Sequence, residues 1–275
     1  MTIPLRVLTV AFVTLPLFAQ WPEVKTKRVP LTRDGKPNLN APPPKLGRNP
    51  DFSGVWVAEK TPCVDTHFCE EVDTFGGFPL GVIDASATKA EELATGVKGG
   101  LPYTPWAREI TQQRQPKDDP VTRCLPLPAI GHWWTFHPQR VIQTETSLTL
   151  LNEYMGQYRQ IFLDGRPLPK DPFPTFKGYS VGHWEGDTLV VETIGYKDDV
   201  WLDAKGNPLT EAARTIERIR RPNFGTLEIQ ITINDPKAYT MPWTVTRHQT
   251  IALDTELIDY ICNENEKDRT HLVGQ

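Results

Sequence analysis

From about Arg140 onward the chain is a succession of short β-prone runs joined by turn signals, and this constrains its fold more than any other feature. RVIQTE, LTLLNEY, QYRQIFLD, the two halves of GYSVGHWEGDTLVVETIGY, TIERIRR, TLEIQITIN, WTVTRHQTIA and ELIDYICN give nine strand candidates. Most are rich in β-branched and aromatic residues, as strands require. Their connections include Met155-Gly156, Asp164-Gly165, Gly186-Asp187, Asn223 to Gly225, Asp235-Pro236 and Asp254-Thr255, all turn chemistry. Apart from a short stretch at Thr210 to Arg214, no helix of usable length intervenes, so the strands predict an antiparallel meander. An open meander of this size leaves two long edges exposed. The expected fold is therefore mainly β, the meander closing into a lipocalin-like or clam-like barrel. A barrel of about eight strands is either filled by side chains or holds one small ligand.

Local detail sharpens this. With Gly186-Asp187 as a two-residue loop, Glu185 pairs with Thr188, His183 with Val190 and Val181 with Glu192. Trp184, Leu189 and Val191 then take the core side, and Tyr179, His183, Glu185 and Glu192 gather on the other. Thr226 to Asn234 alternates most cleanly, with Leu227, Ile229, Ile231 and Ile233 facing one way, as in a strand with one buried and one wet face.

The first 19 residues carry Arg6, an apolar run from Val7 to Phe18 and a small residue at Ala19. This is a secretory signal pattern, too short to span a bilayer, and it predicts a periplasmic or secreted protein with no transmembrane segment in the mature chain. Cleavage removes Arg6 alone among the charges and takes the formal net charge from −4 to −5, which argues against nucleic acid as a partner. Residues 20–49 are dense in Pro, Gly and Asn and read as a linker or a surface wrap. A single β-rich domain is expected over 50–275, starting with a short strand at Gly54 to Glu59. A helical insert at about 84–115 would comprise Asp84 to Val97 and then Thr104 to Gln115, the second capped by Thr104 with Pro105 in its first turn.

Four cysteines in an exported chain suggest disulfides, with three connectivities open. Cys63 and Cys69 are close enough to close a local loop, and Cys124 with Cys262 would tie an early segment to the last strand candidate. Cys63, His67 and Cys69 match no zinc spacing, and no metal is expected.

The candidate chemistry is sparse. His183, Glu185 and Glu192 could act as general acid, base and orienting group, or form an ordinary solvated hairpin face. Arg140, Arg159 and Arg166 with Asp164 could clamp a carboxylate or phosphate, or make structural ion pairs around the turn. Arg214, Glu217, Arg218, Arg220 and Arg221 read as an exposed strand protected by its charges. HWWTFH, His132 to His137, either offers an aromatic ligand platform or, the favoured reading, buries Trp133 and Trp134 as packing under the barrel. As a metal site it is weak, since its two histidines fall on opposite faces of a strand. Ligand contacts are expected from Trp133, Trp134, His137, Arg159, Arg166, Arg218 and His248. There is no GxSxG, HExxH, phosphate-binding glycine loop or dinucleotide fingerprint, so no cofactor is implied.

PDFSGVW at 50–56, DGRPLP at 164–169, VGHWEGDTLVVET at 181–193 and ICNENEKDRTHLVG at 261–274 together resemble a large family of exported bacterial β-rich proteins. The likeness covers most of the chain after residue 49, and WEGDTLVV is its most specific part. It implies a secreted β-rich protein. It brings no established activity, so no catalytic residue is carried over. The expected function is binding of a small apolar or carbohydrate-like molecule in the barrel. A cofactor-independent lyase, isomerase or hydrolase using a His/Glu/Arg site, and an envelope interaction protein, are the alternatives.

Overall fold

The computed structural model describes residues 24–58, 69–72, 81–84, 97, 100–133, 135, 137–198 and 200–264, with the backbone alone for 69–72, 81–84 and 116. Nine strands close into one barrel. They are β1 Gly54–Ala58, β2 Gln139–Gln143, β3 Ser147–Asn152, β4 Gln157–Phe162 and β5 Tyr179–Glu185. The circuit continues with β6 Thr188–Ile194, β7 Arg214–Asn223, β8 Thr226–Asn234 and β9 Trp243–Ile251. Neighbours in sequence are neighbours in space, and β9 pairs with β1 to shut the ring.

A ring of nine strands cannot be antiparallel throughout. Each antiparallel neighbour reverses direction, and direction must be restored after one circuit. One pair is therefore parallel: β4 beside β5, joined through Ile161 with Ser180 and Phe162 with Val181. The chain 163–178 crosses the length of the barrel to make this possible. That corrects the all-antiparallel meander. A second correction concerns ELIDYICN, which is not a strand, and β1 fills the ninth place. After β9 the Ala252 amide donates to Val55 O (2.8 Å). Asp254 then takes a left-handed φ of 54°, and the chain leaves the sheet. Hydrogen bonds between Thr26 N and Asp254 Oδ1 (2.8 Å) and between Asp254 N and Thr26 Oγ1 (2.7 Å) hold that turn.

The β5–β6 hairpin has the expected register, with Gly186 at φ 61°. On β8, Leu227, Ile229, Ile231 and Ile233 are all fully buried, each contributing about 1.5–3 kcal/mol relative to exposure. β7 departs from expectation. Thr215, Glu217, Ile219 and Arg221 all point inward and are buried, so only Arg214, Arg218 and Arg220 belong to the charged outer face. Period two forces this: with Ile219 in the core, Glu217 and Arg221 share its side.

Helix α1, Pro105–Gln113, begins where Thr104 Oγ1 accepts the Ala107 amide (3.2 Å). The helix expected from Asp84 falls almost wholly outside the described residues, and Asp84 itself ends a short strand, Gly81–Asp84, paired with Cys69–Val72. Residues 24–50 wrap the outside, where Leu39 O and Ala41 O accept the amides of Gly225 (2.8 Å) and Phe224 (2.7 Å). Cys124 and Cys262 are disulfide-bonded, Cα–Cα 5.8 Å, while Cys63, His67 and residues 1–19 lie outside the described residues. Among the described residues no helix is long and apolar enough to cross a membrane.

Ring order sorts the connections between two ends. The turns 144–146, 186–187 and 224–225 lie at one end. The end of β1 at Ala58, the start of β2 at Gln139, the turn 153–156 and the described parts of the loops 195–213 and 235–242 lie at the other, here called the mouth.

Candidate functional site

The mouth is plugged by a 3-10 segment, Ala129–Trp133, buried throughout. Polar side chains of the strands hold its backbone: Arg159 Nη1 donates to Ala129 O (3.3 Å) and Gln249 Nε2 to Trp133 O (3.3 Å). Gln139 in turn donates to Gln249 Oε1 (2.6 Å). Beneath the plug lies the barrel's buried ion pair. Arg159 meets Glu217 through two bonds of 2.8 and 2.6 Å, and Trp133 Nε1 donates to Glu217 Oε2 at 2.5 Å. Arg159 Nη2 also donates to Ser180 Oγ and Thr193 Oγ1, both 3.1 Å.

Lys177, at the end of the crossing chain, reaches the same end of the barrel. Its Nζ contacts His132 Nε2 (2.8 Å), Gln157 Oε1 (2.6 Å) and Leu127 O (3.3 Å). Among the described residues it has no carboxylate partner. Burial, and then the Arg159 charge, lower its pKa to about 7. His132 is held well below its ordinary value by burial and then by the charges of Lys177 and Arg159. It is neutral, and its Nδ1 has no hydrogen-bond partner among the described residues.

Beside the plug opens a recess of about 60 Å³. Its walls come from the chain before β2 (Asp119, Pro120, Val121, Pro126, Leu127, Thr135, His137), the β3–β4 turn (Tyr154), the crossing chain (Phe176) and the β6–β7 loop (Val200, Trp201, Asp203, Ala204). Most of this lining is apolar or aromatic. His137 is 5% exposed and burial lowers its pKa to about 4, so it presents a neutral ring. Its Nδ1 stands 3.6 Å from Glu153 Oε1. Burial raises Glu153 against the opposing pull of the Ile258 amide, and it likewise raises Asp119. Asp203 accepts from Asn207 Nδ2 (2.7 Å) and supports the charge of half-buried Arg247.

Of the expected site residues, His137 lines this recess, and Trp133 and Arg159 lie in the plug and core behind it. The others are elsewhere. His183 and Glu185 sit on the outer face near the far end, 3.3 Å apart, with Glu185 also bound by Arg218 (2.8 Å). Glu192 pairs with Arg214, not with His183. His248 is on the outer face near Glu228 (3.9 Å). Arg166 binds Asp164 and stacks on Phe162, 3.8 Å to the ring centre. Arg166 is exposed on the outer face while Arg159 is buried inside the barrel, so the arginines form no common clamp. Trp134 lies outside the described residues. Lys177, Asp119, Thr135, Glu153 and Asp203 were not singled out from sequence. Ring order held the signal: once the strands are placed in a circuit, the long connections fall at one end, which is where binding groups collect on a rigid scaffold.

No protein-family model matches the chain, and no curated protein sequence matches it.

Proposed function

We propose that the protein is an exported barrel that binds a small, largely apolar molecule with one hydrogen-bonding group at its mouth. The observation carrying this reading is the recess, a concave apolar wall into which a few polar groups converge and around which perturbed titratable groups collect. Export is supported by the leader pattern at Met1 to Ala19 and by the Cys124–Cys262 pair. The small volume suits one end of a ligand, such as a ring edge, while the neutral His137 favours an uncharged polar group over an ion.

One observation favours a second reading, a cofactor-independent lyase or isomerase. Lys177, beside the recess, has a pKa near neutrality and would present a reactive amine.

Native mass spectrometry of the protein from its exported fraction, before and after denaturation, tests both readings. The binding reading expects a mass excess lost on denaturation and absent from Ala204→Trp, whose side chain fills the recess. A bound species recovered chemically altered supports the enzyme. An excess that persists in Ala204→Trp, or no binding by any member of a panel of small aromatics and sugars, overturns the recess as the site.

A further inference from the structure

The chain after β9, residues 252–262, carries no strand ladder, yet it is fastened at four points. Its start is held by Thr26 around Asp254. Its middle is held where Glu153 Oε2 accepts the Ile258 amide (3.0 Å). Next, the Tyr260 ring packs 5.0 Å from His137 and 5.2 Å from Tyr154. Its end is Cys262, bonded to Cys124.

The last three anchors converge on one piece of the recess. His137 and Tyr154 stack on each other at 4.8 Å and form a two-ring wall. The recess lies in front of that wall. Behind it runs an open groove of about 500 Å³, between the β3–β4 turn and residues 257–262. Cys124 leaves the short helix Pro120–Arg123, whose first residues also line the recess. The disulfide therefore ties the buttress behind the wall to the segment beside it.

We propose that residues 252–262 are a redox-released strap. A dithiol reductant frees the strap, Tyr260 leaves the back of the His137–Tyr154 wall, and the recess loses its shape and its affinity. This rests on the recess being the binding site. In the chemical step a thiolate of the dithiol attacks one sulfur and the Cys124–Cys262 bond breaks. The reductant closes to its own disulfide, and two electrons and two protons end on the two cysteine thiols. Once untethered, the part of the strap beyond Asp254 keeps, among the described residues, the hydrogen bond from the Ile258 amide to Glu153 and the Tyr260 ring contacts against the ordering of about eight residues, so it belongs to the weakly held part of the fold. Water reaching the wall then removes the burial that keeps His137 neutral.

The test uses the full chain, oxidised and after dithiothreitol, with Tyr260→Ala as a variant that keeps the disulfide. Chymotryptic cleavage after Leu257 and Tyr260 should become at least roughly tenfold faster on reduction. The His137 ring, followed by NMR, should move its protonation midpoint from about 4 towards the ordinary ~6.5. Tyr260→Ala should shift His137 in the same direction without reduction. Affinity for whichever panel compound binds should fall by about tenfold or more. A reduced protein whose strap stays protected and whose His137 stays near its oxidised midpoint overturns the proposal, whatever binds. Release of the strap with unchanged affinity overturns it as well. If the strap and His137 respond but no compound binds the oxidised protein, the binding reading falls and the strap's control of the wall stands.

Discussion

Replacing Arg159 by Met should destabilise the barrel severely, and replacing Glu217 by Leu as well should recover much of the loss. Arg159 makes five hydrogen bonds, two of them to Glu217, and the two side chains are 1% and 0% exposed. Met keeps the length and packing of the arginine stem but leaves Glu217 with the Trp133 indole N–H as its sole remaining donor among the described residues. The carboxylate would then be buried without a counter-charge, which costs about 3–5 kcal/mol. Ser180 and Thr193 bond each other at 2.8 Å and add little to that loss. For a chain of this size the penalty lowers Tm by roughly 10 °C. The assay is a double-mutant cycle of Arg159→Met, Glu217→Leu and the pair, followed by urea denaturation and thermal melting. The pair should lie within about 2 kcal/mol of wild type, because a well-packed apolar replacement removes both desolvation costs. Arg159→Met within about 1 kcal/mol of wild type would show that water reaches Glu217 beneath the plug, and the account of a buried ion pair shielded by the plug would be wrong.

His137 has a folded pKa of about 4, below its unfolded value near 6.5. Between these the unfolded chain binds more protons, so its contribution is complete above about 6.5 and is lost as pH falls towards 4, by up to roughly 3 kcal/mol. His137→Phe should flatten the urea-measured stability between pH 6.5 and 4, and an unchanged slope would refute this. Lys177, lowered to about 7, acts in the alkaline range. Folding with a depressed lysine pKa strengthens as pH rises from about 7 towards 10, so wild type should gain about 1–2 kcal/mol over Lys177→Met between pH 7 and 9. Equal gains in both proteins would mean that the amine stays charged and well compensated.

What could be read from the sequence was local, and what was missed depends on contacts between distant residues. The register of the β5–β6 hairpin follows from period two on either side of Gly186-Asp187, and the buried face of β8 follows from four aliphatic residues in alternation. Glu217 and Arg221 carry charges, and a charge next to other charges reads as surface. Their inward placement is decided by Ile219 between them and by Arg159, which sits 58 residues away from Glu217. ELIDYICN has the composition of a strand, but Asp254 turns the chain out of the sheet and β1 occupies the edge it would have used. The parallel β4–β5 pair was within reach, since nine strands in a ring require an odd number of parallel neighbours. Identifying nine correctly needed β1 in place of the tail. The recess has no continuous sequence signature, because its walls come from four separate connections.

Closure of the ring by β1 on β9 also sets the order in which the protein can fold. The strand at Gly54–Ala58 meets Gln249, Thr250 and Ile251, nearly 200 residues later, through three residue pairs, and meets β2 through three more. Contacts this remote in sequence raise contact order and slow folding. Until Ile251 is available, β2 to β8 can assemble only as an open sheet with both edges unpaired and its apolar interior uncovered. During that interval the nascent or unfolding chain is most exposed to strand-to-strand aggregation. Under the proposed export this arrangement would be an advantage, because no early segment can close a barrel before the last strand has followed it across the membrane.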